Sequence, residues 1–229
     1  MRQGEYELLW GGQARPGRGR PPGLSRERIV AEAVAIADAG GLAKVSMKHL
    51  AERLGSGVMS LYRHVPGKDE LVVLMYDSLM AGPLPMPESD HWREVLRGWG
   101  LGIRELFLAH PWALNVATSD RSMGPNEATW VDGVIGRLAA VGLPVDLGLL
   151  AVLTVDCFAM GGVWPEIGGA ESGEAFFRFL GDPAARERFP HLARVADPAF
   201  TPDAPLENHF EFGLERILDG LERRIEAKD

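Results

Sequence analysis

The stretch LGSGVMSLYRHV, Leu54 to Val65, gathers residues that could grip a polyanion. Ser60 and Tyr62 carry hydroxyls, Arg63 and His64 carry N–H donors, and Val58 and Met59 carry apolar surface. Lys48 precedes the stretch and Lys68 follows it. Cationic and hydroxyl groups of this kind hold phosphate oxygens, while hydroxyl and apolar groups meet base edges and thymine methyls. On a helical wheel beginning at Val58, residues Val58, Leu61 and Val65 share the packing face, whereas Met59, Ser60 and Arg63 point away from it. Tyr62 lies at the border, where its ring can pack inward and its hydroxyl can reach a phosphate, and His64 lies on the opposite flank.

The flanking sequence supplies the elements that must position these groups. Ser25 is a good N-cap, and Ile29, Ala33, Ile36 and Ala37 form an apolar stripe that Gly40-Gly41 ends. Ser46 can cap a second helix carrying Leu50, Ala51 and Leu54, which Gly55 terminates. A third short helix is predicted from Gly57 to about Val65, where Pro66-Gly67 breaks it. A fourth opens at Lys68 with Leu71, Leu74, Met75 and Leu79 in register. Two short helices joined by a glycine turn are the plan of a helix-turn-helix, whose second helix enters the DNA major groove.

The run LAERLGSGVMSLYRHVPGKDEL, Leu50 to Leu71, resembles the signature of the TetR family of bacterial one-component repressors, L-A-x-x-L-G followed by L-Y-x-H-[FV]-x-x-K-x-x-L. The matching positions are Leu50, Ala51, Leu54, Gly55, Leu61, Tyr62, His64, Val65, Lys68 and Leu71. His110-Pro111-Trp112 and FEFGLERILDGLE, Phe210 to Glu222, are similar to the C-terminal domain of the tetracycline repressor's closer relatives. The resemblance implies that Tyr62, His64 and Lys68 hold phosphates and that Lys48, with Ser46 at the start of its helix, reaches a base edge or phosphate. It also implies that Val58, Met59 and Ser60 face the bases, with Arg63 beside them. One departure stands out: Ser56 occupies the position after the turn glycine, where the family usually has an apolar residue.

The charge distribution agrees with this division. The chain of 229 residues has net charge −8, yet residues 15–68 carry ten Lys/Arg against four Asp/Glu. A basic head on an acidic body is expected where one part meets phosphates and the other does not. The expected fold is all-α, with residues 1–24 a disordered basic arm, 25–82 the helix-turn-helix DNA-binding head, and 83–229 a ligand-binding and dimerisation domain. Arg15, Arg18 and Arg20 in the arm either track a minor groove or keep a mobile end soluble.

Pro83, Pro85 and Pro87 mark the hinge, and helical patterns follow at about 89–109, 125–141, 146–164 and 205–226. Leu206, Phe210, Leu214, Ile217, Leu221 and Ile225 form a stripe, broadened by Phe212 and Leu218, that either pairs with a second subunit or packs within its own. The resemblance favours pairing, in a four-helix bundle with the 146–164 helix, so a homodimer on a palindromic double-stranded operator is expected. It also implies an effector pocket in the body. Trp99, Phe107, Trp112, Trp130, Phe158, Met160 and Trp164 could wall it, and Asp132, Thr154 and Asp156 are polar groups in otherwise apolar helices. Asp156 is the foremost candidate, because an unpaired buried carboxylate is costly. The glycine-rich segment 167–175 could be the pocket's mouth.

The apolar run Leu147–Val155 is shorter than a bilayer span and reads as a buried helix, and no signal peptide is evident, so a cytoplasmic protein is expected. Cys157, a lone cysteine, should pack as a small hydrophobe and offers no metal pair or disulfide. The six histidines show no H-x-x-x-H or H-E-x-x-H spacing, and G-x-S-x-G and G-x-x-x-x-G-K-[ST] are absent. No catalytic residues, metal or cofactor are therefore expected. The expected function is a ligand-responsive repressor with a small, largely apolar effector. The alternatives are an architectural DNA-binding protein without effector or a helical enzyme.

Overall fold

The computed structural model describes residues 3–11, 24–84, 86–168, 178, 181–195 and 208–226, and among these every regular element is helical. Arg15, Arg18, Arg20, Leu206 and residues 169–175 lie outside the described residues. The N-terminal expectation needs correction. Gln3–Trp10 form a helix, α1, which packs against the last helix of the head. The Trp10 indole Nε1 donates to Met123 O at 3.0 Å, and Arg26 Nη1 donates to Leu8 O at 3.3 Å. An aromatic anchor and a guanidinium on a helix carbonyl hold these first residues of the expected 1–24 arm, while residues 12–23, its glycine-, proline- and arginine-rich part, lie outside the described residues.

The head follows its caps. Ser25 Oγ accepts from Arg28 N at 3.2 Å and starts α2, Arg26–Gly40. A 3-10 turn at Leu42–Lys44 leads to α3, Met47–Leu54, which Ser46 caps by accepting from His49 N at 3.2 Å. The recognition-position helix α4 spans Val58–Tyr62, and α5 spans Lys68–Ser78. Ile29, Ala33, Leu50, Leu61, Val65 and Leu71 are fully buried together. Arg53 Nε donates to Glu32 Oε1 at 2.7 Å and ties α3 to α2. α4 is shorter than the expected end at Val65. His64 N and Val65 N both donate to Leu61 O, at 2.8 and 2.9 Å, and Pro66 cannot continue the ladder.

The α3–α4 turn explains the position of Ser56. Gly55 adopts φ +61°, Gly55 N donates to Glu52 O at 3.2 Å, and Ser56 N donates to Ala51 O at 2.9 Å. This is the Schellman pattern, in which the residue after the left-handed glycine normally makes an apolar contact with the helix's last turn. Ser56 stands there, and its Oγ is buried with no hydrogen-bond partner among the described residues.

The body comprises α6 (Trp92–Ala109), α7 (Pro111–Ala117), α8 (Pro125–Ala140), α9 (Val145–Gly162), α10 (Trp164–Ile167), α11 (Pro183–Arg188), α12 (Pro190–Val195) and α13 (His209–Glu226). α6, α8, α9 and α13 pack around Trp99, Leu138, Val152, Val155, Leu214 and Leu218. The stripe on α13 is therefore mostly an internal one. Phe210, Leu214 and Leu218 are buried within their own chain, and Ile217, Leu221 and Ile225 pack partly against the same core. Arg93 on α6 clamps the helix, with Nη2 donating to Glu215 and Asp219 at 2.7 Å each. The exposed apolar stripe lies instead on α9, at Val145, Leu149, Leu150 and Leu153, with Phe212 of α13 also exposed. Cys157 shares that outer face and is exposed rather than packed. By length and composition the helical stretch Val145–Ile167, of mean hydropathy 1.8, could cross a membrane, although the run Leu147–Val155 alone is too short. Its inner face packs on α6, α8 and α13.

Removing the orphan hydroxyl should stabilise the turn. Ser56→Ala is expected to gain about 1 kcal/mol, since a buried unsatisfied polar group costs about that much or more. Thermal unfolding should show a rise of about 2–4 °C for a chain of this size.

Candidate functional site

The candidate DNA-facing residues of the head lie on α3, α4 and the start of α5, all exposed or half-buried. Ser46 and Lys48 are exposed at the start of α3, and Met59, Tyr62 and Arg63 are exposed on and just after α4. Met59 is 76% exposed, an unusual state for a thioether without a partner surface. Val58, Ser60 and His64 are half-buried, and Val58 packs against the head core, as its wheel position indicates. Arg63 curls back along α4, its Nη2 donating to Ser60 Oγ at 2.9 Å. A guanidinium thus joins a helix face whose own polar group is the Ser60 hydroxyl. Lys68 is exposed at the start of α5, and its Nζ donates to Leu42 O at 3.2 Å, which leaves two of its three N–H groups unused by that bond.

The body contains a cavity of about 120 Å³ between α5, α6, α8 and α9. Five of the residues singled out from the sequence line it: Trp99, Phe107, Trp130, Asp156 and Met160. Trp99 and Trp130 meet edge to face with centroids 6.2 Å apart. Trp99 Nε1 donates to Asp156 Oδ1 at 2.7 Å, and Trp130 Nε1 donates to Gly82 O at 2.9 Å. Burial pushes the Asp156 carboxyl up to about 6, with the Trp99 hydrogen bond opposing the shift.

Sequence reasoning missed the polar half of the lining, Tyr76, Arg121 and Glu127, and the apolar Met80, Ile103, Leu106, Ala117 and Val131. Arg121 and Glu127 form a bidentate pair at 2.6 and 2.7 Å, and the Arg121 guanidinium stacks 3.9 Å from the Tyr76 ring centre. Burial drives the Tyr76 phenol up to about 12, so it stays neutral at ordinary pH. Arg121 lies in a loop without periodicity, and Tyr76 read as part of the head. The spacing of Arg121 to Glu127, across the start of α8, was the one signal available.

Five other candidates lie elsewhere. The Trp112 indole Nε1 donates to Asp38 Oδ1 at 2.7 Å, and His110 Nδ1 lies 2.7 Å from the same oxygen. Asp38 belongs to α2, so His110-Pro111-Trp112 joins body to head instead of walling the cavity. Trp164 is 61% exposed on α10, beyond the end of α9. Asp132 and Thr154 are exposed, and Thr154 Oγ1 donates back to Leu150 O at 2.7 Å. Each sits on the outer side of its helix, where its charge or hydroxyl meets solvent. Phe158 packs on Phe210 with centroids 5.1 Å apart.

A second junction connects head and cavity directly. Asp77 on α5 is buried, and its Oδ1 accepts from Asn126 N and Glu127 N at 3.0 Å each, while Oδ2 accepts from Asn126 Nδ2 at 3.0 Å. A side chain of the head thereby caps α8 of the body. Burial raises the Asp77 carboxyl from its ordinary range, against the amide bonds that lower it.

Two family models match the chain: "Bacterial regulatory proteins, tetR family" over residues 29–75, and "Tetracyclin repressor-like, C-terminal domain" over residues 84–225. The chain belongs to the TetR family. An HTH-type transcriptional repressor, DrrR1 of Streptomyces coeruleorubidus, is 36% identical over 230 residues, covering 94% of this chain and 84% of that protein. The Streptomyces coelicolor TetR family protein ActR, solved in complex with actinorhodin, is 31% identical with a TM-score of 0.71, covering 88% of this chain and 96% of that one. The tetracycline repressor class A of Escherichia coli is 27% identical over 206 residues, covering 88% of this chain and 92% of that one. This TetR-family chain is accordingly a helix-turn-helix transcriptional regulator with a C-terminal helical domain, and not an enzyme.

The cavity carboxylate should weaken the unliganded fold at neutral pH. Asp156 titrates near 6 when folded and near 3.8 at its ordinary value, so the folded chain keeps a proton that the unfolded chain has released between these limits. Stability therefore declines as pH rises through that window, and the loss is complete above it. Asp156→Asn keeps the acceptor for Trp99 and removes the charge. Urea unfolding should show the variant more stable by on the order of 3 kcal/mol at pH 7.5 and only about 1 kcal/mol at pH 4.5.

Proposed function

We propose that the chain is a homodimeric repressor that holds a palindromic operator until a small, largely apolar effector fills the cavity and releases the DNA. The observation that carries this reading is the adjacent pair Tyr76 and Asp77 on α5: the first walls the cavity, and the second caps α8. α5 also belongs to the DNA-binding head and packs on α2. An effector that displaces Tyr76 or the Arg121–Glu127 pair therefore acts on the helix that sets the head's position. Release is a population shift toward a head spacing that no longer matches half-sites about 34 Å apart. Linkage requires the operator to weaken effector binding by the same factor.

On DNA, Tyr62, His64 and Lys68 hold phosphates, while Met59 and Ser60, with Val58 at their base, face the groove. Lys48, with Ser46 beside it, supplies the base-edge or phosphate contact from α3, and Arg63, placed over Ser60, adds a donor to the recognition face. One helix as short as α4 reads few base pairs, so pairing on a palindrome supplies the remaining specificity. The α9 stripe of Val145, Leu149, Leu150 and Leu153, with Phe212, is the surface that a second copy covers. Such a contact accounts for an apolar helix lying on the outside of a cytoplasmic DNA-binding protein. The effector reading draws on the ActR complex and on the cavity itself, which an architectural DNA protein would not need.

Operators selected from random DNA provide the test. Lys48→Ala should relax preference at one base pair per half-site, by roughly 1–3 kcal/mol, whereas Tyr62→Phe should weaken all sequences alike. Binding to a series of operator variants that shows the opposite assignment would overturn these roles. The double variant Leu150→Glu, Leu153→Glu should run as a monomer in light scattering and lose about a hundredfold in operator affinity, because two half-sites no longer bind together. An unchanged dimer would exclude α9 as the interface.

A further inference from the structure

The ionisable side chains that line the cavity do not balance. Arg121 and Glu127 are closed on each other, and Arg121 Nε donates to Val116 O at 3.2 Å while its guanidinium stacks on Tyr76. This cation is already paired, stacked and hydrogen-bonded. Asp156, contributed by α9, accepts from Trp99 Nε1 through Oδ1, and among the described residues no donor is paired with Oδ2. It lines the cavity together with the rings of Trp99, Trp130, Tyr76 and Phe107. One carboxylate thus remains without a counter-charge in a space walled by aromatic rings.

An ammonium group complements both features. It is attracted to the electron-rich faces of indole and phenol rings, and it forms a charge-assisted hydrogen bond with a carboxylate. A desolvated carboxylate gains more from such a partner than an exposed one does. We infer that the effector is an aromatic or fused-ring molecule carrying a protonated amine, with the amine on Asp156 and the ring system among Trp99, Trp130 and Phe107. This rests on the cavity being the effector site. An anionic effector would have to separate Arg121 from Glu127 and leave Glu127 unpaired, which is strongly unfavourable for a pair with side chains only 10% and 14% exposed. A neutral molecule fills the apolar walls and leaves Asp156 without a cation. Burial that raises the carboxyl to about 6 still leaves it mostly ionised at neutral pH, so the negative charge is present when the ligand arrives. Tyr76, pushed up to about 12, contributes no charge of its own there.

The test uses the full chain and three probes with one skeleton: 2-naphthylmethylamine, 2-naphthylmethanol and 2-naphthoate, compared by calorimetry at neutral pH. The amine should bind about tenfold tighter than the alcohol, the size of one charge-assisted hydrogen bond, and the carboxylate should bind weakest. Asp156→Asn should bring amine and alcohol to within about twofold of each other. Equal or reversed preference in the natural chain, or an amine preference that survives Asp156→Asn, overturns the charge assignment and leaves the cavity as an effector site. Failure of all three probes to bind saturably removes the effector reading of the cavity and this inference with it. The comparison among probes on the unaltered chain decides the matter even if the variant folds poorly.

Discussion

A carboxylate from one half of the molecule closes the N-terminus of a helix in the other half, and the relation between DNA-binding head and body depends on that contact. The first amides of α8 have no partners within their own helix, and Asp77 supplies the acceptor from α5. The helix dipole favours negative charge at that end, which helps to hold an ionisable group in a buried place. The approach is so close that Gly124 has to lack a side chain: a Cβ there would lie 2.2 Å from Asp77 Oδ1. Asp38 makes the parallel contact from α2, receiving the Trp112 indole N–H. Two acidic residues of the head are thereby spent on the junction and not on its surface.

The same junction places the cavity beside the head. Tyr76 precedes Asp77, so a residue that stacks on Arg121 shares its backbone with the α8 cap. Glu127 offers its backbone N–H to Asp77 and its side chain to Arg121, joining the cavity wall to the cap through one residue. A buried ion pair of this kind contributes little net stability compared with apolar packing, because desolvation offsets most of the attraction. Asp156 is likewise a largely buried carboxylate, held in the cavity wall by the Trp99 indole N–H.

Elsewhere the body is held by ordinary means. Arg93 bridges to α13, and Arg104 pairs with Glu166 to bring α10 against α6. These pairs are partly exposed and act mainly to orient helices whose apolar faces supply most of the stabilisation. With most of the α13 stripe committed to the internal core, the exposed apolar stripe among the described body helices is that of α9.

Local chemistry in the sequence was enough to determine the head. Ser25 and Ser46 cap, Gly55 turns left-handed, Pro66 stops α4, and L-A-x-x-L-G with L-Y-x-H-V identifies the helix-turn-helix, because caps and turns depend on residues a few positions apart. It also singled out Asp156, since a carboxylate in an apolar helix is conspicuous whatever surrounds it. It could not say which way a large aromatic faces when both sides of a helix are apolar: Trp99 and Trp130 turn to the cavity, Trp112 to Asp38 and Trp164 outward. Nor could it find the ion pair of Arg121 and Glu127, or the Tyr76–Asp77 link between head and body. Those contacts join residues tens of positions apart or lie in irregular loops, where no periodicity reports the partner. Only the packing of α5 and α8 decided that the DNA-binding head and the cavity of the body share a wall.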